Sequence, residues 1–367
     1  MDRNVFFIFA LLVVFLALSV HPVKSSERSD TEIQKRSVLG FSVKCKNRNF
    51  CELHNPSDVI VDTGSLNDIQ SELLKRLRNK WGDGNPNLPM WTMGGKQFWE
   101  DRFVYGGWHI QRNVFTGHHR LLNPSNVRKA WGSYGACRTV FEGIKQRRGI
   151  RLASDHWVFL VHGILRGKES MQPFFDRLRK FGFEPVSVTY PSTRGSVADH
   201  ADQLTTVLNR VQDADTVSFI THSMGGIVAR ELLSREAEWK KNLEVGRLVM
   251  VAPPNRGSEV ADLVASFYPI REIAGEGLED MTTRQIDEIP IPDVEFGIIA
   301  GAQGDTAGLN PFLPGNDDGT VRIEEAYLPQ ARDFITVPGQ HSFIMYDEKV
   351  IQNAVYFLRK GQFIEDS

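Results

Sequence analysis

A chain of 367 residues with 41% hydrophobic and 24% charged residues has the makings of one large domain or two modest ones, with a core of ordinary size. Its formal net charge of −2 excludes the basic surplus expected of a nucleic-acid-binding protein. It has no GxxxxGK[ST] loop, no GxGxxG after a strand and no CxxC pair, so the common nucleotide, zinc and redox signatures are missing.

The first residues stand apart in composition. Residues 5–20 carry no charge and are rich in Phe, Leu, Ile and Val; Arg3 precedes them and a polar stretch, 24–36, follows. Sixteen uncharged residues suit the core of an export signal or a short membrane anchor, and Ser19 and Ser25 are small enough for a cleavage site. Residues 1–25 are therefore expected to be a signal peptide or an anchor. Both place the rest of the chain outside the cytoplasm, and the second also ties it to a membrane. Of three cysteines, Cys45 and Cys51 are near enough for a small disulfide loop, which export would permit. The alternative is three buried thiols, and an odd count leaves at least one unpaired.

Residues 26–150 read as a linker, polar over 24–40, followed by an irregular, aromatic-rich N-terminal extension. Trp91-Thr92-Met93-Gly94-Gly95 and Tyr105-Gly106-Gly107-Trp108 typify it. Helical spacing is visible only at about 66–80 and 126–147. Its aromatics are expected to pack it onto the domain that follows. His118-His119 has no carboxylate or cysteine at ligand spacing, so it reads as a surface loop and no metal is expected.

From residue 156 the pattern becomes regular. Residues 157–161 form a five-residue apolar run that ends at His162-Gly163, as in a strand buried on both faces. Helical spacing follows at 169–181, alternation at 186–190, and a second helix at 197–211. A strand at 216–220 leads to a helix at 225–235. Further strands are expected at 247–251, 296–300 and 334–337, and a closing helix at 348–358 with Gly361 just beyond it. Strands alternating with helices imply crossover connections and a doubly wound, mostly parallel sheet with helices on both faces over 151–361.

The strand–helix junction at Thr221-His222-Ser223-Met224-Gly225-Gly226 is a G-x-S-x-G elbow with Thr in the first Gly position. Such an elbow needs small residues around a strained serine, which stands at a helix N-terminus. Ser223 is the candidate nucleophile. A serine hydroxyl needs a neighbouring base. Of ten histidines only His341 follows Ser223, and it lies on a loop between the last strand and the last helix. The orienting acid belongs between them in Asn316-Asp317-Asp318-Gly319-Thr320-Val321. Asp318, directly before the Gly, is favoured over Asp317, with Asp305 a more distant candidate. The loop His162-Gly163-Ile164-Leu165-Arg166-Gly167 follows the first strong strand. It is expected to supply an oxyanion N–H from Ile164, beside that of Met224, with His162 shaping the loop.

The sequence here resembles the lipase and esterase branch of the α/β hydrolases. The segments that carry the likeness are 158–163, Tyr190-Pro191-Ser192-Thr193, 221–226, Ala252-Pro253-Pro254-Asn255-Arg256-Gly257-Ser258, 316–321 and 340–343. The resemblance implies an α/β-hydrolase fold and hydrolysis of acyl esters or lipid-like substrates through Ser223, Asp318 and His341, with no metal or organic cofactor. The same triad also serves thioesterases and amidases, and a fold of this kind can persist as a non-catalytic binding protein. In this family a cap often inserts where 255–295 lies. That segment is either an amphipathic cap whose Phe267 and Tyr268 line an acyl pocket, or a connection with one packed helix.

Overall fold

A computed structural model describes residues 34–38, 41–47, 50–55, 58–65, 68–69, 72, 90–91, 97–266, 276–303, 308–310 and 313–364. The apolar run at 5–20 lies outside the described residues. The chain divides into two compact units, Met1–Thr92 and Met93–Ser367.

In the first unit four strands form an antiparallel meander: β1 (Gln34–Val38), β2 (Phe41–Asn47), β3 (Phe50–His54) and β4 (Ile60–Gly64). The stretch expected as linker thus includes a paired strand at 34–38. Cys45 and Cys51 are register partners across β2 and β3, which brings their Cβ atoms together, and they form a disulfide. Cys51, Val43, Leu53 and Ile69 make a small core. Of the helix expected at 66–80, residues 68, 69 and 72 are helical and the others lie outside the described residues. A two-residue strand, β5 (Met90–Trp91), ends the described part.

The second unit begins at Met93, and residues 99–132 of it are built of strands. Strands β6 (Trp99–Tyr105), β7 (Trp108–Asn113), β8 (His119–Leu122) and β9 (Val127–Gly132) form a regular antiparallel meander. Gly106 and Gly107 make the two-residue turn between β6 and β7 with φ of 52° and 76°, left-handed values that glycine adopts without strain. Helix α1 (Tyr134–Arg148) follows, capped by the Ser133 side chain and by left-handed Gly149. Residues 127–132 of the helix expected at 126–147 are therefore β9.

The alternation of these strands is hidden because their buried positions carry polar groups. Asp101, fully buried, accepts from His109 Nδ1 (3.1 Å) and Gln111 Nε2 (2.9 Å), and Gln111 in turn accepts from Arg120. Asp101 also accepts from the Thr189 N–H at 2.6 Å and donates its own N–H to the Thr189 carbonyl at 2.9 Å. This bond pair ties β6 to the main domain. Edge-on rings continue the tie: Phe141 meets Phe103 and Tyr105, and Tyr105 meets Trp157.

The main sheet has six parallel strands: β10 (His156–Val161), β11 (Glu184–Ser187), β12 (Thr216–His222), β13 (Glu244–Val251), β14 (Phe296–Ala302) and β15 (Asp333–Pro338). Their order is β11-β10-β12-β13-β14-β15. The crossovers include α2 (Gln172–Lys180), α3 (Val197–Leu208), α4 (Met224–Ser234), α5 (Glu259–Ser266), α6 (Glu276–Glu279) and α7 (Ile323–Ala326), and α8 (Glu348–Lys360) closes the chain at left-handed Gly361.

Alternation assigns the strand side chains to two faces. Trp157, Phe159 and Val161 join Leu204, Ile227 and Met250 on one face. Val158 and Leu160 join Phe174, Leu178, Ile299 and Phe357 on the other. Burial on both faces explains the unbroken apolar run, each large side chain contributing about 1.5–3 kcal/mol. The strand order reverses between β10 and β12, so their C-terminal ends flank the crevice where open α/β sheets bind ligands. This is the α/β-hydrolase fold that the sequence leads one to expect.

Candidate active site

Ser223 stands at that crevice, between the end of β12 and the start of α4. Its φ of 53° and ψ of −129° are strained for a residue with a Cβ. The turn is locked by bonds from the Ser223 N–H to the Val251 carbonyl (2.9 Å) and from the Gly226 N–H to the Ser223 carbonyl (2.8 Å). The sequence must be small here for a measurable reason: a Cβ at Gly225 would lie 2.4 Å from the Val161 carbonyl oxygen. Thr221, in place of the first Gly, is accommodated against β13, where its hydroxyl donates to the Val249 carbonyl at 3.3 Å.

His341 lies on the loop after β15. Its Nε2 is 2.9 Å from Ser223 Oγ and its Nδ1 is 2.7 Å from Asp318 Oδ2. Asp318 cannot donate as a carboxylate, so Nδ1 carries the proton and Nε2 is left to accept from the serine hydroxyl. The other Asp318 oxygen accepts from the N–H groups of Thr320 (3.0 Å) and Val321 (2.8 Å). The His341 N–H donates to the Asp318 carbonyl at 2.8 Å, fixing the His341 loop on the Asp318 loop. Asp317 is buried but faces elsewhere, and Asp305 lies outside the described residues.

Two backbone segments border Ser223. Met224 opens α4, so its N–H belongs to the first turn, which has no intrahelical acceptor. Gly163, which precedes Ile164, lies so close that an added Cβ would be 2.9 Å from Ser223 Cβ. His162, at the start of this loop, stacks its ring on Tyr190 at 4.2 Å, and the Tyr190 hydroxyl donates to the His162 carbonyl. Large apolar side chains are exposed on both sides, Leu165 at 61% on this loop and Phe343 at 62% just past His341.

Phe267 and Tyr268 lie outside the described residues. The described parts of 255–295 approach the elbow. A Cβ at Gly277 would lie 3.1 Å from Met224 Sδ, and the Gly277 N–H donates to the Gly195 carbonyl. Buried Arg230 of α4 donates to the carbonyls of Asn255, Ile289 and Pro290, and so holds both ends of the segment.

The His118-His119 pair straddles the end of the β7–β8 loop, where His118 is the last loop residue and His119 the first of β8. It leads into β8, with His118 stacked on Trp131 and His119 edge-on to Tyr134. Among the described residues no cluster of His, Cys, Asp or Glu has metal-binding geometry. One residue escaped the sequence reasoning. His222, the variable position of the elbow, is buried against the His341 loop with Nε2 2.9 Å from the His341 carbonyl. Burial, and then His341 itself, hold its pKa well below the usual histidine value.

Residues 189–265 match a family model described as a domain of unknown function, DUF7379. A comparison with curated proteins finds no match. Among solved structures, the mature lipase BlEst2 of Bacillus licheniformis is similar at 21% identity over 58% of this chain and 93% of that one, with a TM-score of 0.46. The metagenomic carboxyl esterase MGS0156 is similar at 18% identity over 51% and 65%, with a TM-score of 0.40. An esterase from Thermogutta terrifontis is similar at 16% identity over 57% and 92%, also with a TM-score of 0.40.

Proposed function

We propose that this protein of α/β-hydrolase fold is a serine hydrolase of acyl esters. Ser223 is the nucleophile, His341 the general base and Asp318 its orienting acid. The observation that carries this reading is the unbroken hydrogen-bonded line from Ser223 Oγ through His341 to Asp318 Oδ2, at 2.9 and 2.7 Å. Ser223 Oγ attacks the ester carbonyl as His341 Nε2 takes its proton. The main-chain N–H groups of Met224 and Ile164 stabilise the oxyanion, an effect worth about 3–4 kcal/mol per donor in a comparable site. His341 returns the proton to the leaving alcohol, and water then repeats the sequence on the acyl-enzyme. Asp318 stays ionised and stabilises the imidazolium.

Exposed Leu165 and Phe343 favour an apolar, lipid-like acyl ester over a small polar one. The complete set of three groups argues against a non-catalytic binding protein. Export is also part of the proposal. The uncharged run at 5–20 and the Cys45–Cys51 disulfide, a bond that persists in oxidising compartments, support it.

The deciding experiment is fluorophosphonate labelling of the purified protein and of Ser223→Ala, followed by ester hydrolysis. The wild type should label and the variant should not, with kcat down roughly 10⁴-fold or more. Near-normal hydrolysis by Ser223→Ala removes Ser223 as nucleophile. Full-length protein in the soluble cytosol of expressing cells defeats export.

A further inference from the structure

The chemistry above gives no part to the residue that precedes the nucleophile. His222 ends β12, and its ring is 2% exposed. Its Nε2 lies 2.9 Å from the His341 carbonyl oxygen. A carbonyl only accepts, so Nε2 carries the proton and Nδ1 is a bare acceptor. Nδ1 is buried without a hydrogen-bond partner. It faces the oxyanion loop closely: a Cβ at Gly163 would stand 3.1 Å from it. The His222 and His341 ring centroids are 5.0 Å apart. One imidazole thus touches the elbow, the oxyanion loop and the base loop.

We propose that His222 is a positioning residue: its Nε2–H, donated to the His341 carbonyl, holds the base loop in register with the nucleophile elbow. The proposal rests on the reading of Ser223 and His341 given above. The His341 backbone is held at two points, by its N–H on the Asp318 carbonyl and by its carbonyl on His222. Arg166 Nη2 adds a longer bond, 3.3 Å, to the next carbonyl, that of Ser342. Without His222 the His341 carbonyl loses its donor, and Nε2 of His341 moves off the Ser223 hydroxyl. The ring suits this task because it stays uncharged. Burial disfavours its protonation most, and the neighbouring His341 adds to the effect. A neutral neighbour does not oppose the imidazolium that His341 becomes during acyl transfer.

Two substitutions separate the hydrogen bond from the packing. His222→Gln offers an amide N–H near the Nε2 position, and His222→Met fills similar volume without a donor. The Met variant should lose roughly tenfold or more in kcat with KM little changed, as expected for a base displaced by a fraction of an ångström, and the Gln variant should recover most of that loss. Equal loss in both variants, or none in either, overturns the proposal. A second measurement needs no substrate. In ¹⁵N spectra of the wild type from about pH 5 to 9, the His222 ring should remain the neutral Nε2–H tautomer throughout. A titrating ring or an Nδ1–H tautomer overturns the proposal even if the Met variant fails to fold. Absence of fluorophosphonate labelling and ester hydrolysis in the wild type would instead remove the hydrolase reading, while the tautomer still decides whether His222 holds His341.

Discussion

Asp317 and Asp318 are adjacent and both buried, yet their carboxylates serve different partners. Asp318 Oδ2 meets His341 Nδ1 at 2.7 Å. Asp317 Oδ1 instead accepts from the N–H groups of Gly319 (2.6 Å), Asn310 (2.9 Å) and Leu309 (3.2 Å). The turn that aims one carboxylate at the base is itself built on the other.

Asp318→Asn should therefore lower kcat by roughly 10⁴-fold with little change in stability, because the amide leaves the histidine without its orienting charge. Asp317→Asn keeps an oxygen for the same N–H groups and should leave kcat within roughly tenfold of wild type, at a cost of about 1–2 kcal/mol in stability. Steady-state kinetics and urea unfolding of the two variants decide the point. Equal kinetic damage, or the reverse order, would move the acid to Asp317.

The two small positions of the elbow should respond differently. Ala at Gly225 meets the Val161 carbonyl at 2.4 Å and the His162 carbonyl at 2.7 Å, both backbone atoms that cannot step aside. Gly225→Ala should destabilise by about 1–3 kcal/mol or more and distort the oxyanion loop, so kcat/KM falls with stability. Thr221→Gly loses the hydroxyl bond to Val249, a buried methyl group and some backbone restriction, about 1 kcal/mol each, and should keep most of its activity. A Gly225→Ala variant as stable and active as wild type would show that the elbow has room to relax.

The parallel sheet and the hydrogen-bonded line were legible because one physical cause dominates each. Strands buried on both faces become apolar runs, and an elbow followed much later by a lone histidine leaves one histidine to meet the serine. The meander at 99–132 was hidden because Asp101, His109, Gln111 and Arg120 occupy buried positions and break the alternation. Its one clear local sign was Gly106-Gly107 between aromatic flanks, a hairpin signal. The role of His222 had no signature at all, since the elbow motif leaves that position free.

The buried histidines predict a stability that weakens in mild acid. His200 of α3 is 2% exposed beside Tyr190, and burial pushes its pKa down to about 4 from the ordinary 6.5. The fold accepts the neutral ring and rejects the charged one. The stabilisation is complete above pH 6.5 and is lost as pH falls toward 4, roughly 3 kcal/mol in all. His200→Gln removes the titrating group, so its urea midpoint should change less between pH 7 and about pH 4.5 than that of the wild type. Parallel curves for the two proteins would mean that His200 takes no part in the acid response.

Arg230 leads to a prediction about substrate. Its buried guanidinium donates to the carbonyls of Asn255, Ile289 and Pro290, joining both ends of the 255–290 connection to the helix that begins at the nucleophile. Burial lowers its pKa to about 10, so it stays charged at neutral pH. A lysine offers no planar fork and cannot reach three carbonyls in this arrangement. Arg230→Lys should cost about 2–4 kcal/mol, since each buried carbonyl left without a donor is worth about 1–3 kcal/mol. If the connection caps the acyl side of the site, each added CH₂ of substrate gains about 0.8 kcal/mol, so wild-type kcat/KM on p-nitrophenyl esters should rise roughly threefold or more per carbon until the pocket is full. With its ends released, the connection should pack less tightly on the chain, and the rise from C2 to C12 should flatten in Arg230→Lys while activity on the acetate persists. A wild-type profile that is flat or peaks at acetate argues for a small open site with no cap. An Arg230→Lys variant with the wild-type slope and stability would show that the three bonds hold nothing that substrate binding depends on.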